Sequence, residues 1–131
     1  KAIVSQAAVE TGWGKFVIHK SDGTSSHNLF GIKANKGWQG EQAVVDTLEF
    51  SNGLPEKQKA AFRSYGSVEE AMDDYGRFIT SQLRYSHAVE NASDAARYTS
   101  ALQEAGYATD PEYASKIMAV YNSERLSALM P

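Results

Sequence analysis

The chain of 131 residues contains no cysteine, which excludes disulfides and thiolate chemistry and removes redox usage as a guide to compartment. It lacks an excess of either charge: 13 basic and 16 acidic residues leave a net charge of -3, with nothing clustered. That excludes the basic field expected of a nucleic-acid or membrane-surface partner. No apolar run approaches the roughly 20 residues of a membrane-spanning helix, so membrane insertion is not expected. The three histidines, His19, His27 and His87, are scattered, and no His/Asp/Glu set has zinc-site spacing, so no metal is expected. Nucleophile-elbow serines, glycine-rich phosphate loops and internal repeats are missing too. Asn91-Ala92-Ser93 fits a glycosylation pattern that short matches meet by chance.

What is present describes an ordinary soluble globular chain, 42% hydrophobic and 22% charged, long enough for one domain over residues 1–131 with a real core. Beginning at Lys1 without an initiator methionine or signal peptide, it is expected to be a domain excised from a longer protein.

The stretch from Gln6 to Lys15 carries the most chemistry. Residues 1–9 hold good or tolerable helix formers, with Ile3, Val4, Ala7 and Ala8 at one-face spacing. Gly12 and Gly14 then stop the helix. Glu10 therefore falls in the last turn, where the negative end of the helix dipole disfavours a charged carboxylate. Burial against Trp13 pushes the same way, and a carboxyl held protonated in a cleft can serve as a general acid. A solvated helix-end glutamate is the alternative.

Further along, Ser21 to Ser26 is turn chemistry, and Asn28 to Lys33 returns apolar residues, of which Leu29 and Ile32 read as core. From Gln42 to Phe50 the period becomes two, with β-branched residues, predicting a strand. Asn52-Gly53 signals a turn and Gln58 to Tyr65 can return. Pro55 predicts a connection longer than two residues and an irregular or bulged hairpin. Glu41, Asp46 and Glu49 are the carboxylates of this lobe; Asp46 has the opposite parity to Glu49 and faces away from it on a regular strand.

Helices follow. Ser67 and Glu70 form a capping box before a face of Val68, Ala71, Met72, Tyr75, Phe78, Ile79 and Leu83. A short helix is expected within Tyr85 to Ala92. Asp94 caps Ala95 to Ala105, with Tyr98, Ala101 and Leu102 inward and Gly106 at its end. Thr109-Asp110-Pro111 opens a last helix docked by Ala114, Ile117, Met118, Tyr121, Leu126 and Leu129.

Three segments carry a family resemblance, in order along most of the chain. Gln-Ala-Ala-Val-Glu-Thr-Gly-Trp-Gly (6–14) resembles the catalytic-glutamate signature of the glycoside hydrolase family 73 peptidoglycan glucosaminidases. Asn-Leu-Phe-Gly-Ile-Lys (28–33) and Gly-Tyr-Ala-Thr-Asp-Pro-Glu-Tyr-Ala (106–114) resemble two further motifs, and a flagellar member of the family is the nearest pattern. The resemblance implies an α+β, lysozyme-like fold: a mainly helical domain with a small β-hairpin lobe, about residues 37–65, flanking a substrate groove. It implies cleavage of the β-1,4 bond after N-acetylglucosamine in bacterial peptidoglycan, with Glu10 donating the proton and Glu49 matching the family's second glutamate.

It also implies a cleft lined by the Asn28 to Lys33 segment, where Asn28 binds substrate and Phe30 stacks or packs. Trp13 offers sugar rings another aromatic surface. Tyr107 is expected to point into the cleft near the acid as a catalytic residue whose phenol bonds the N-acetyl group or orients water, or else is a buried aromatic whose hydroxyl finds a partner; Thr109 and Asp110 read as caps. No cofactor is needed. In the flagellar setting the domain acts in the periplasm on glycan strands, tethered to rod proteins through an N-terminal domain outside this chain. An autolysin setting would instead place it outside the cell or on the wall. Inverting, retaining and substrate-assisted courses stay open. So do a lytic transglycosylase, which needs no second carboxylate, and a non-catalytic binding module.

Overall fold

The computed structural model describes residues 1–35 and 37–130. A first helix α1 (Ala2–Thr11) is followed by irregular backbone, a hairpin of β1 (Gln42–Ser51) and β2 (Leu54–Arg63), and a helical second half. That half comprises α2 (Val68–Thr80), a 3-10 turn at Leu83–Tyr85, α3 (Ser86–Glu90), α4 (Ala95–Glu104), α5 (Tyr113–Tyr121) and α6 (Glu124–Leu129). The result is α+β and lysozyme-like, with the hairpin beside the helical body.

The core forms where the Asn28 to Lys33 segment meets α2, α3 and α4. Phe30, Ile32, Tyr75, Ile79, Tyr85, Tyr98 and Leu102 pack there, and Phe30 stacks on Tyr75 with centroids 4.1 Å apart. Asn28 is the clasp of this segment. Its buried carboxamide donates to the carbonyls of Ile32 and Arg63 at 2.9 Å each and accepts the Phe30 and Ile32 N–H groups, so its polar atoms are satisfied internally.

α1 lies against α5, but with a different face from the expected one. Ser5, Gln6, Ala8 and Thr11 are buried, while Ile3 and Val4 are exposed. Small polar residues can be buried here because Ser5 and Thr11 donate their hydroxyls to the carbonyls of Lys1 and Ala7, four residues back. Gly12, at φ 57°, closes the helix in the left-handed conformation.

The hairpin is regular, not bulged. Ser51 pairs with Leu54 across a two-residue Asn52-Gly53 turn, both at positive φ, the backbone a type I′ turn demands. Pro55 opposes Phe50, one residue beyond the closing pair, where antiparallel partners point their N–H groups away from each other. Its missing N–H therefore costs the ladder nothing. Ala43, Val45, Thr47 and Glu49 turn inward while Val44, Asp46 and Leu48 are exposed. The base of the lobe is tied to the body by backbone bonds between Ile32 and Arg63 and between Ala34 and Ala61.

In the helical half, Ser67 accepts the Glu70 N–H and Asp94 the Arg97 N–H. Val68, Met72, Leu83 and Leu129 are exposed; apolar period overestimates burial where no partner element covers that side of a helix. The last helix is two. Ser123 accepts the Leu126 N–H and restarts the chain as α6, and α5 begins at Tyr113, after Asp110 Oδ1 has accepted the Glu112 N–H.

Candidate active site

A groove of about 610 Å³ runs between the hairpin and the helical body, lined by the end of α1, the Gly31 to Lys33 backbone, β1 and residues 106–110. Glu10 and Glu49 both border it. Glu10 is held by the last turn of α1 against Gly31 and Tyr113. Gly31, at φ +66°, leaves room that any side chain would take: a Cβ there would lie 2.7 Å from Glu10 Oε2. The Tyr113 hydroxyl donates to Glu10 Oε1 at 2.8 Å.

Burial raises the Glu10 pKa to about 7, the Tyr113 hydrogen bond opposes that rise, and the negative charge of Glu49 adds to it. Desolvation thus wins over the single donated hydrogen bond. A glutamate tuned in this way can hold a proton near neutral pH and release it to a leaving group.

Glu49 is fixed from two sides. Lys33 pairs with Oε1, and the Thr109 hydroxyl donates to Oε2 at 2.8 Å. Thr109 in turn accepts the outward-pointing Phe50 N–H at 2.8 Å. The loop before α5 therefore fastens the hairpin tip at the residue beside Glu49. Asp110 lies behind it, paired with Lys116. Of the other lobe carboxylates, Glu41 bonds Lys20 at 2.7 Å on the surface, and Asp46 sits on the exposed parity of β1.

The remaining expected residues are placed differently. Tyr107 borders the groove and donates to the Phe30 carbonyl at 2.6 Å; its ring stacks on Tyr113 at 5.8 Å. The phenol is committed to backbone and braces the Gly31 corner. Phe30 is 1% exposed, so its ring is core and faces no sugar. Asn28 reaches the groove wall but spends its carboxamide on the loop. Trp13 is outside the groove lining and carries the Arg125 guanidinium 4.1 Å from its ring centroid.

Sequence reasoning missed Tyr113, Lys33 and Phe16. Tyr113 and Lys33 sat inside the motifs at 106–114 and 28–33, but nothing in their local pattern singled them out from the residues around them. Phe16 is an aromatic of the groove wall that is 75% exposed; nothing in its neighbourhood of sequence marked it.

Compared with known proteins, residues 1–126 match the glucosaminidase family, described as mannosyl-glycoprotein endo-β-N-acetylglucosaminidase. The peptidoglycan hydrolase FlgJ of Pseudomonas aeruginosa is 50% identical over 115 residues, 88% of this chain and 29% of that protein. That of Vibrio cholerae is 44% identical over 118 residues, 90% of this chain and 35% of that protein. The crystal structure of a peptidoglycan hydrolase mutant from Sphingomonas sp. A1 superposes with a TM-score of 0.92 at 42% identity, covering 97% of this chain and 81% of that one. The glycoside hydrolase domain of Salmonella typhimurium FlgJ follows at 0.70 and 41%, covering 98% and 74%. The chain belongs to the glucosaminidase family of peptidoglycan hydrolases. It spans about a third of the length of the FlgJ proteins it matches.

Proposed function

We propose that this domain hydrolyses the β-1,4 bond between N-acetylglucosamine and N-acetylmuramic acid in bacterial peptidoglycan. One observation carries the reading: a partly buried glutamate at the end of α1, with its pKa raised to about 7 by desolvation, shares an open groove with a second carboxylate held by Lys33 and Thr109. Glu10 donates its proton to the glycosidic oxygen as the bond to the anomeric carbon breaks. Glu49, held by Lys33 and Thr109, takes a proton from the water that attacks the anomeric carbon, and the hydroxyl of that water stays on the sugar. Glycoside hydrolysis generally uses such a pair of carboxyl groups. Phe16 offers the exposed aromatic face for a sugar ring, and Tyr107 holds the corner on which Glu10 rests.

The likeness to FlgJ proteins supports a setting in which the domain opens the periplasmic wall locally for the flagellar rod. The share of those proteins outside this chain leaves room for a rod-binding region. Mass spectrometry of reducing ends released from purified peptidoglycan tests the chemistry in wild type, Glu10→Gln and Glu49→Gln. Reducing N-acetylglucosamine ends that disappear with Glu10→Gln and fall by orders of magnitude with Glu49→Gln support the hydrolase. Anhydro-muramic ends would make the protein a lytic transglycosylase, full activity of Glu49→Gln would point to a substrate-assisted course, and absence of any product would leave a binding module.

A further inference from the structure

Gln6 is wholly buried on α1, one turn before Glu10 and on the same helix face. A buried carboxamide needs partners at both ends, and its two ends differ: one donates, the other accepts. Gln6 Nε2–H donates to the Tyr113 hydroxyl at 2.9 Å, and Gln6 Oε1 accepts from the Tyr75 hydroxyl at 2.6 Å. Tyr75 also meets the Tyr98 hydroxyl, and Tyr113 meets Glu10. Four side chains from α1, α2, α4 and α5 thus form one buried row ending on the carboxyl.

A phenol has a single proton. Tyr75 spends its proton on Gln6, so Tyr98 must donate to Tyr75. Tyr113 receives an N–H from Gln6, so its own proton is left for Glu10. Turning the amide round would draw the Tyr113 proton onto Gln6, and an ionised Glu10 would then face a second acceptor with no proton between them. The amide therefore decides the sense of the whole row.

We propose that Gln6 is a positioning residue: it makes every hydroxyl of the row donate toward Glu10, which keeps Oε1 as an acceptor and places the transferable proton on Oε2. Oε2 is the oxygen against Gly31, where the lack of a side chain leaves space for a glycosidic oxygen. The inference rests on the reading of Glu10 as the general acid. The other groups facing Glu10 are Glu49 from β1, Tyr107 from the loop before α5 and Tyr75 from α2. Lys33 is taken up by Glu49. Burial keeps the three tyrosines neutral across the range in which Glu10 titrates.

The test is the Glu10 titration in the domain labelled with carbon-13 at side-chain carboxyls, its signal assigned by its loss in Glu10→Gln. It is followed in wild type, Gln6→Met, Tyr113→Phe and the double variant. Gln6→Met lets the Tyr113 hydroxyl turn away, so the midpoint is expected to rise by on the order of half a unit to one unit. Tyr113→Phe should raise it at least as far, and the double variant no further than Tyr113→Phe alone. An unchanged midpoint in Gln6→Met, or the same increment with and without the Tyr113 hydroxyl, overturns the proposal; a residue that merely packs would lower thermal stability and leave the titration in place. Should Gln6→Met not fold, Tyr75→Phe frees the acceptor end of the amide with Gln6 intact. It is expected to shift the midpoint upward, again only when Tyr113 keeps its hydroxyl, and no shift overturns the proposal. Because the titration is read without substrate, failure of the glucosaminidase reading would show separately, as absent turnover with the row intact.

Discussion

Glu10 holds its proton more tightly in the folded domain than in the unfolded chain, because desolvation outweighs the Tyr113 hydrogen bond. Between pH about 4.5 and about 7 the folded state therefore binds more protons, and stability falls as pH rises through that window. Above it, the ionised, partly desolvated carboxylate costs on the order of 3 kcal/mol. Glu10→Gln carries no such charge and should exceed the wild type in urea midpoint at pH 8 while matching it near pH 4; a difference independent of pH would contradict the assignment. Gly31 poses the complementary constraint. Gly31→Ala would set a Cβ against Oε2 in a backbone region that costs a non-glycine residue about 1 kcal/mol. It should lose turnover by orders of magnitude while circular dichroism shows the fold retained. Phe16→Ala removes a ring that is mostly exposed and touches the body at Gly12, so KM for glycan strands should rise while the thermal midpoint changes little.

The hairpin is the element on which the second carboxylate depends, and a two-stranded hairpin alone is marginal in water. Its inward parity brings Glu49 to the groove. Its tip, however, is held there by Thr109, which takes the Phe50 N–H and gives its own proton to Glu49. Thr109→Val keeps the shape and removes both bonds. With about 1 kcal/mol for a net hydrogen bond, amide exchange at Phe50 should quicken several-fold and kcat should drop. Exchange equal to wild type would show that the tip is fixed by other contacts.

Across the molecule, the lobe and the helical body are joined by a small charged cluster near the hairpin base. Arg63 from β2 pairs with Asp74 of α2 at 3.0 Å, and the Tyr65 hydroxyl donates to the same oxygen at 2.5 Å. Both charged side chains are about nine-tenths buried, 12% exposed each. Removing one partner strands the other, so Asp74→Ala should cost about 3 kcal/mol in urea unfolding. It should also loosen the groove, seen as a fall in activity beyond the fraction unfolded. A loss below about 1 kcal/mol would place the cluster among ordinary surface pairs.

Local order was legible in the residues. Helix ends at Gly12, Ser67 and Asp94, the alternation that sends Glu49 inward and Asp46 outward, and a glutamate in an unfavourable last turn all follow from short-range sterics and hydrogen-bond geometry. Those rules act within a few residues, so they need no knowledge of the rest of the chain. What lay beyond them was every contact between distant segments. Gln6 meets Tyr113 across 107 positions and Thr109 meets Glu49 across 60, and no periodicity encodes such pairings. Phe30 looked like a groove aromatic and became core because Tyr75 covers it. Tyr113 carried no signal of its own and reached the acid because α5 packs on α1. Burial, and with it the protonation of Glu10, is a property of what surrounds a group, and only the folded chain supplies those surroundings.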